Sequence, residues 1–197
     1  MDSIAAAQLA RMRGMTRYYH ARFFSDVRFT TVAVGALFVV GWGWVPEAFA
    51  LVPFAALLGA AQTAFDASYL IFARQYAARL EGFINPERRV LVAAALEDTY
   101  LFPLDRRKMV VAGLGQDFTW FAFMTMLITG SGIGAFGFGL ALAMPVIDGH
   151  GAAWTVAYIA VLAILTLAAL AVGLWWFVGG EGERRLRVVL DRSFPTR

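Results

Sequence analysis

One carboxylate, Asp66, lies well inside a long apolar run, with Gln62 one helical turn before it and Ser68 and Tyr69 just after. In a bilayer an acidic side chain is costly unless it is paired or protonated, so it marks an ion pathway or a structural ion pair. A cation or proton site at Gln62 and Asp66 is the sharper reading. A salt bridge to an arginine on a neighbouring helix is the plainer one, and the two are compatible.

A second group is glycine. Gly130, Gly132, Gly134, Gly137 and Gly139 fall within ten residues of one apolar stretch. Gly130 and Gly134 form a GxxxG step, which lets helix backbones approach closely. Tight packing is the first expectation. A broken helix whose exposed backbone lines an ion path is the alternative, with Gly130, Gly132 and Gly134 as pore candidates.

Other chemistry is scarce. The chain has no cysteine, which removes disulfides, thiolate metal sites and cysteine nucleophiles. His20 and His150 fall on opposite sides of the topology derived next, so they cannot share a metal or haem. Lys108, the single lysine, lies in a connector, so no Schiff-base lysine stands in a span. Asp148 and His150 read as solvated loop residues. No GxSxG elbow, HExxH helix or GxxxxGK[ST] phosphate loop is present. Glu97, Asp98 and Asp105 are spaced as surface charges among arginines. The expectation is no catalytic residue, no metal and no cofactor.

These residues need a membrane to hold them. Of the 197 residues 60% are hydrophobic and 16% charged, with a mean hydropathy of +0.64. A soluble domain carries about 25% charge and about 45–50% apolar residues. Roughly 20 apolar residues cross a hydrocarbon core, and four stretches reach that scale: Phe29–Val45, Phe49–Phe72, Phe118–Val146 and Ala152–Val178. The fold class expected is all-α, a polytopic membrane protein of four transmembrane helices arranged as two antiparallel hairpins.

Orientation follows from charge. Five arginines precede the first span, seven basic residues separate the second from the third, and five arginines follow the fourth. Together they make up all 17. Pro46–Ala48 and Ile147–Gly151 hold none. Basic residues near span ends stay in the cytoplasm, which puts both termini and the middle connector inside. Trp42, Trp44 and Trp154 then fall at the outer interface, and Trp120, Trp175 and Trp176 at the inner one, as an aromatic belt requires. The net charge of +3 and pI near 9.6 read as attraction to anionic lipid headgroups rather than to nucleic acid.

The first two helices are expected to outrun the membrane as a protruding hairpin, the alternative being amphipathic segments that lie on the inner leaflet. Leu9, Met12, Met15, Tyr19 and Phe23 form an apolar stripe before span one, and Phe72, Tyr76, Leu80 and Phe83 one after span two. With a tight turn at Pro46–Glu47, antiparallel helices place residues equidistant from Glu47 at one depth. Arg13 then faces Glu81, and Arg28 faces Asp66, the structural ion pair expected to lock the hairpin. Asn85, Pro86 and Glu87 signal the start of a short connector helix. The organisation expected is a cytoplasmic amphipathic helix (1–28), a first transmembrane hairpin with a cytoplasmic extension (29–84), a connector (85–117), a second transmembrane hairpin (118–178) and a basic tail (179–197).

The function these features suggest is a homo-oligomeric ion channel or small transporter of the inner (plasma) membrane, with a pore or gate near Asp66 and the glycine-rich third span. The alternative is a non-catalytic accessory or scaffold subunit that docks a cytoplasmic or membrane protein partner. A lipid- or quinone-active membrane enzyme ranks third. Heavy use of Ala, Gly, Val and Arg points to a GC-rich bacterial genome.

Overall fold

A computed structural model of the chain describes residues 2–84 and 120–193, and all regular structure among them is helical. Helix α1 spans Asp2–Gly43. A 3-10 turn, Pro46–Leu51, leads into α2, Val52–Ile84. Helix α3 spans Trp120–Asp148, and α4 spans Ala152–Gly173 and runs on as a π-helical turn, Leu174–Val178. Helix α5, Glu181–Ser193, follows within the expected basic tail. Among the described residues four stretches are long and apolar enough to cross a membrane: Ala6–Gly43, Pro46–Gly82, Met126–Asp148 and Ala152–Val178. Each overlaps one of the expected spans. The connector expected over 85–117, with its short helix, lies outside the described residues.

Local chemistry sets the helix ends. α1 has no proline and continues through residue 28 without a break. It stops where Pro46 pushes Val45 into extended backbone, φ −133°. The two amides just past the helix, those of Trp44 and Val45, both donate to the Val40 carbonyl at 2.9 Å. Pro46 opens the 3-10 turn and Pro53 falls in the first turn of α2, positions where a missing N–H costs nothing. Between α3 and α4 the chain turns at Gly151, φ +105°, and Thr155 Oγ1 donates to Asp148 Oδ1 at 2.7 Å. A side chain at Gly151 would be strained by that backbone.

The chain forms two compact units, Met1–Phe23 with Phe65–Met126 and Leu174–Arg197, and Phe24–Ala64 with Leu127–Gly173. In the second unit the start of α2 is the hub. Val52 is fully buried and fits where α3 has Gly139; Thr30 of α1 packs onto Gly59. Phe49 lies against Gly41, Phe38 and Trp42, and Phe138 of α3 joins the same aromatic group. Tyr158 of α4 meets Phe54 edge-on and donates to the Ala50 carbonyl at 3.0 Å. Tyr158→Phe is therefore expected to cost about 1 kcal/mol, the net worth of one such bond, read as a lowered midpoint of thermal unfolding in detergent.

In the first unit α2 is again the hub. Its face Asp66, Leu70, Ala73, Ala77 and Leu80 is buried, with the three- and four-residue spacing of one helix side. α5 packs by Leu186 against Ile71, with Phe72, Tyr76 and Phe177 around them. Much apolar surface stays uncovered. Of the most apolar stretch of each membrane-length helix, 33% is buried in the second but only 6%, 11% and 6% in the first, third and fourth. Phe29, Val39, Leu58, Ile133, Ile164 and Leu167 are all exposed.

Candidate functional site

A stripe of buried charge runs along α2 in the first unit. Asp66, Arg74 and Glu81 are all buried. Their spacing of eight and seven residues places them on one side of the helix at successive double turns. Helix α1 answers two of them. Arg22 Nε lies 3.2 Å from Asp66 Oδ1, and the Arg13 guanidinium bonds the Glu81 carboxylate. Asp66 is 0% exposed, whereas the Arg22 side chain is 40% exposed. The arginine thus reaches in from the surface. Tyr19 and Tyr69 stack with centroids 5.0 Å apart beside this pair, and Arg22 also donates to the Tyr18 hydroxyl at 3.5 Å.

The Arg13–Glu81 contact is the one expected from the sequence. For Asp66 the register differs: Arg22 stands opposite it, whereas the expected partner, Arg28, gives its Nε to the Phe24 carbonyl at 3.3 Å. The reason lies in the turn. With α1 ending at Gly43 and Pro46–Leu51 wound as a 3-10 helix, the pairs Arg22–Asp66 and Tyr19–Tyr69 are both centred on Trp44 rather than Glu47. The longer reach of Arg13 and Glu81 absorbs the offset.

Gln62, one turn before Asp66 on α2, is half-buried within the second unit. α3 is unbroken α-helix through all five glycines. Gly139 is in close contact, but among the described residues Gly130, Gly132, Gly134 and Gly137 have no atom beyond the local helix backbone within 4 Å of where a Cβ would stand. Among the described residues of the protomer, no helix approaches closely at the GxxxG step. At the α3–α4 turn, His150 Nδ1 lies 2.9 Å from the Val146 carbonyl and Asp148 is engaged by Thr155. Among the described residues no group of three His, Asp or Glu could hold a metal ion. No family model matches the chain, and no curated protein or solved structure proves similar to it.

A further cluster escaped the sequence reading. After the π-helical turn, Gly179 and Gly180 redirect the chain; Gly180 has φ +71°, and a Cβ on Gly179 would stand 2.7 Å from the Trp175 carbonyl oxygen. Glu181 then accepts from Arg185 Nε at 2.7 Å and from the Arg184 guanidinium. Arg185 also sits 5.6 Å from the ring centroids of both Trp175 and Trp176. The pattern of an acid followed three and four residues later by arginines, directly after Gly-Gly, was the available signal.

The hydrogen bond from Arg185, with the charge of Arg184 beside it, holds the Glu181 carboxyl below its ordinary range despite some desolvation. Its cover is two arginines whose side chains are themselves 61% and 74% exposed, so water screens the cluster. A depressed folded-state value gives stability that is present above the usual glutamate range and lost as pH falls through that value. Acidification below about pH 4 is thus expected to lower the protection of the α5 amides relative to their intrinsic exchange rate at the same pH, with no change in that protection between pH 6 and 8. Hydrogen exchange across residues 184–193 checks this.

Proposed function

We propose that the chain is a multi-pass protein of the inner (plasma) membrane, with both ends cytoplasmic, acting as a self-associating, non-catalytic subunit of a membrane assembly. The observation that carries this reading is the uncovered third helix: Gly130, Gly132, Gly134 and Gly137 lie open along α3. Only 11% of the most apolar stretch of that helix is buried within the protomer. Lipid or another helix is the natural cover for such a surface, and small residues let helices meet at close range. The distribution of all 17 basic residues supports the orientation. The contacts of α1 with α2, at Arg13–Glu81 and Arg22–Asp66, support an antiparallel first hairpin.

One observation favours a second reading, an ion channel or small transporter gated near Asp66. A fully buried carboxylate is held there by an arginine that is itself partly exposed, so the pair can open without unfolding the helices around it. In its closed form the pair leaves Asp66 no access to solvent, which is why the subunit reading ranks first. Native mass spectrometry of the purified protein, followed by ion flux into proteoliposomes, separates the two. A homo-oligomer that passes no ions supports the subunit. A closed ring of four or more copies whose flux is abolished by Asp66→Asn supports the channel. A strict monomer overturns both.

A further inference from the structure

The elbow between α4 and α5 places two guanidiniums beside two indoles at the end of the fourth membrane-length helix. Each guanidinium has five N–H donors in a planar fork. Glu181 engages Arg185 through Nε and Arg184 through one terminal nitrogen. The remaining donors carry no hydrogen bond among the described residues. Both side chains are largely exposed, as is Trp175. Glu181 therefore holds the two forks in place without saturating them, and the indoles of Trp175 and Trp176 lie close to the Arg185 guanidinium as well.

A pair of oriented, unsaturated guanidiniums matches the oxygens of a phosphate group, which arginine binds bidentately. The elbow adjoins Ala152–Val178, a stretch long and apolar enough to cross a membrane. On the membrane reading proposed above, on which this inference rests, the clamp opens at headgroup depth. Trp175 and Trp176 suit that depth as interfacial residues. We propose that Arg184 and Arg185, positioned by Glu181, bind the headgroup phosphate of an anionic phospholipid in the cytoplasmic leaflet.

General attraction by a basic helix would account for such binding poorly. α5 carries Arg184, Arg185, Arg187 and Arg192 against Glu181, Glu183 and Asp191, so its excess of positive charge is slight. Its inward side is already occupied by the packing of Leu186 on α2. What distinguishes the elbow is local geometry.

Bulk charge and a local clamp predict opposite signs for one substitution. Glu181→Gln adds one net positive charge but removes both ion pairs and leaves a single acceptor oxygen, which loosens the two guanidiniums. If bulk electrostatics governs, the variant binds anionic lipid more tightly; if the clamp governs, it binds more weakly. The measurement is the apparent affinity for phosphatidylglycerol, titrated into the full-length protein in nonionic detergent and read by native mass spectrometry. Phosphatidylcholine serves as the reference. Arg184→Gln with Arg185→Gln is expected to weaken binding roughly 25-fold, on a scale of about 1 kcal/mol per arginine near an anionic surface. Arg11→Gln with Arg17→Gln, which removes equal charge from exposed positions on α1, is expected to change it less than about threefold.

Tighter binding by Glu181→Gln, or an equal loss in the α1 variant, overturns the clamp. Inorganic phosphate that competes at the same concentration as the lipid overturns the lipid assignment. Equal affinity for phosphatidylcholine and phosphatidylglycerol, in a protein that resists carbonate extraction from membranes, overturns this inference and leaves the membrane reading intact. Extraction by carbonate overturns the membrane reading itself.

Discussion

Arg22→Gln is expected to destabilise the protein in detergent by about 2–4 kcal/mol, measured by thermal or chemical unfolding. Removing one partner of a buried ion pair leaves the other charge in a medium that solvates it poorly, a loss that reaches about 3–5 kcal/mol. Asp66 is 0% exposed and lies 3.2 Å from Arg22 Nε. Two features keep the expected value toward the lower part of that range. Arg22 is itself partly exposed, and Asp66 has interactions beyond this pair. Asp66→Asn removes the charge along with the ion pair and is expected to cost less, about 1–2 kcal/mol. The double variant should fall below the sum of the singles, because residues in contact are not additive. Arg28→Gln gives the sharpest comparison. Its Nε bonds a carbonyl of its own helix at an exposed position, so the expected change is within about 0.5 kcal/mol. Equal losses from Arg22→Gln and Arg28→Gln would sink the observed register.

The contrast between those two arginines shows how far the sequence could be read. The number of membrane-length helices was legible because it depends on run length: about 20 apolar residues between charged segments match the thickness of a bilayer core and exceed what a small soluble core can bury. The pairing of Arg13 with Glu81 was legible too, since two long side chains tolerate an error of a few residues. The partner of Asp66 was not, because the aspartate is short and the register depends on how the turn is wound. A 3-10 segment rises about 2 Å per residue against 1.5 Å in an α-helix. Pro46–Leu51 being 3-10, and α1 ending at Gly43, therefore move the centre of the hairpin contacts to Trp44. The α4–α5 elbow escaped for a related reason. Residues 179–197 read as basic from composition, whereas the seating of α5 shows in the packing of Leu186 on Ile71, a residue of a distant segment. Composition likewise located the glycines of α3 without showing which of them are covered.

The glycines carry the other large effect. Gly139→Ile is expected to destabilise the protomer by about 3 kcal/mol or more, at the upper end of overpacking costs. A side chain there would overlap Val52, which is itself fully buried and cannot give way into open space. Gly59→Ile should behave alike, since its Cβ would overlap the Thr30 side chain. Gly130→Ile and Gly134→Ile differ in kind, for among the described residues no atom beyond the local helix backbone lies within 4 Å of either Cβ position. Replacing a helical glycine there removes a conformational penalty of up to about 1 kcal/mol, so protomer stability should hold or rise slightly. On the proposed self-association through α3 the same two substitutions should shift native mass toward monomer, because two β-branched side chains keep a second backbone at a distance. Unfolding midpoints and native mass, read on the same four variants, separate packing within the protomer from packing between copies. If Gly130→Ile with Gly134→Ile keeps the wild-type oligomer, the third helix is not the interface. If it unfolds the protomer as Gly139→Ile does, the face of α3 that carries these glycines is covered rather than open.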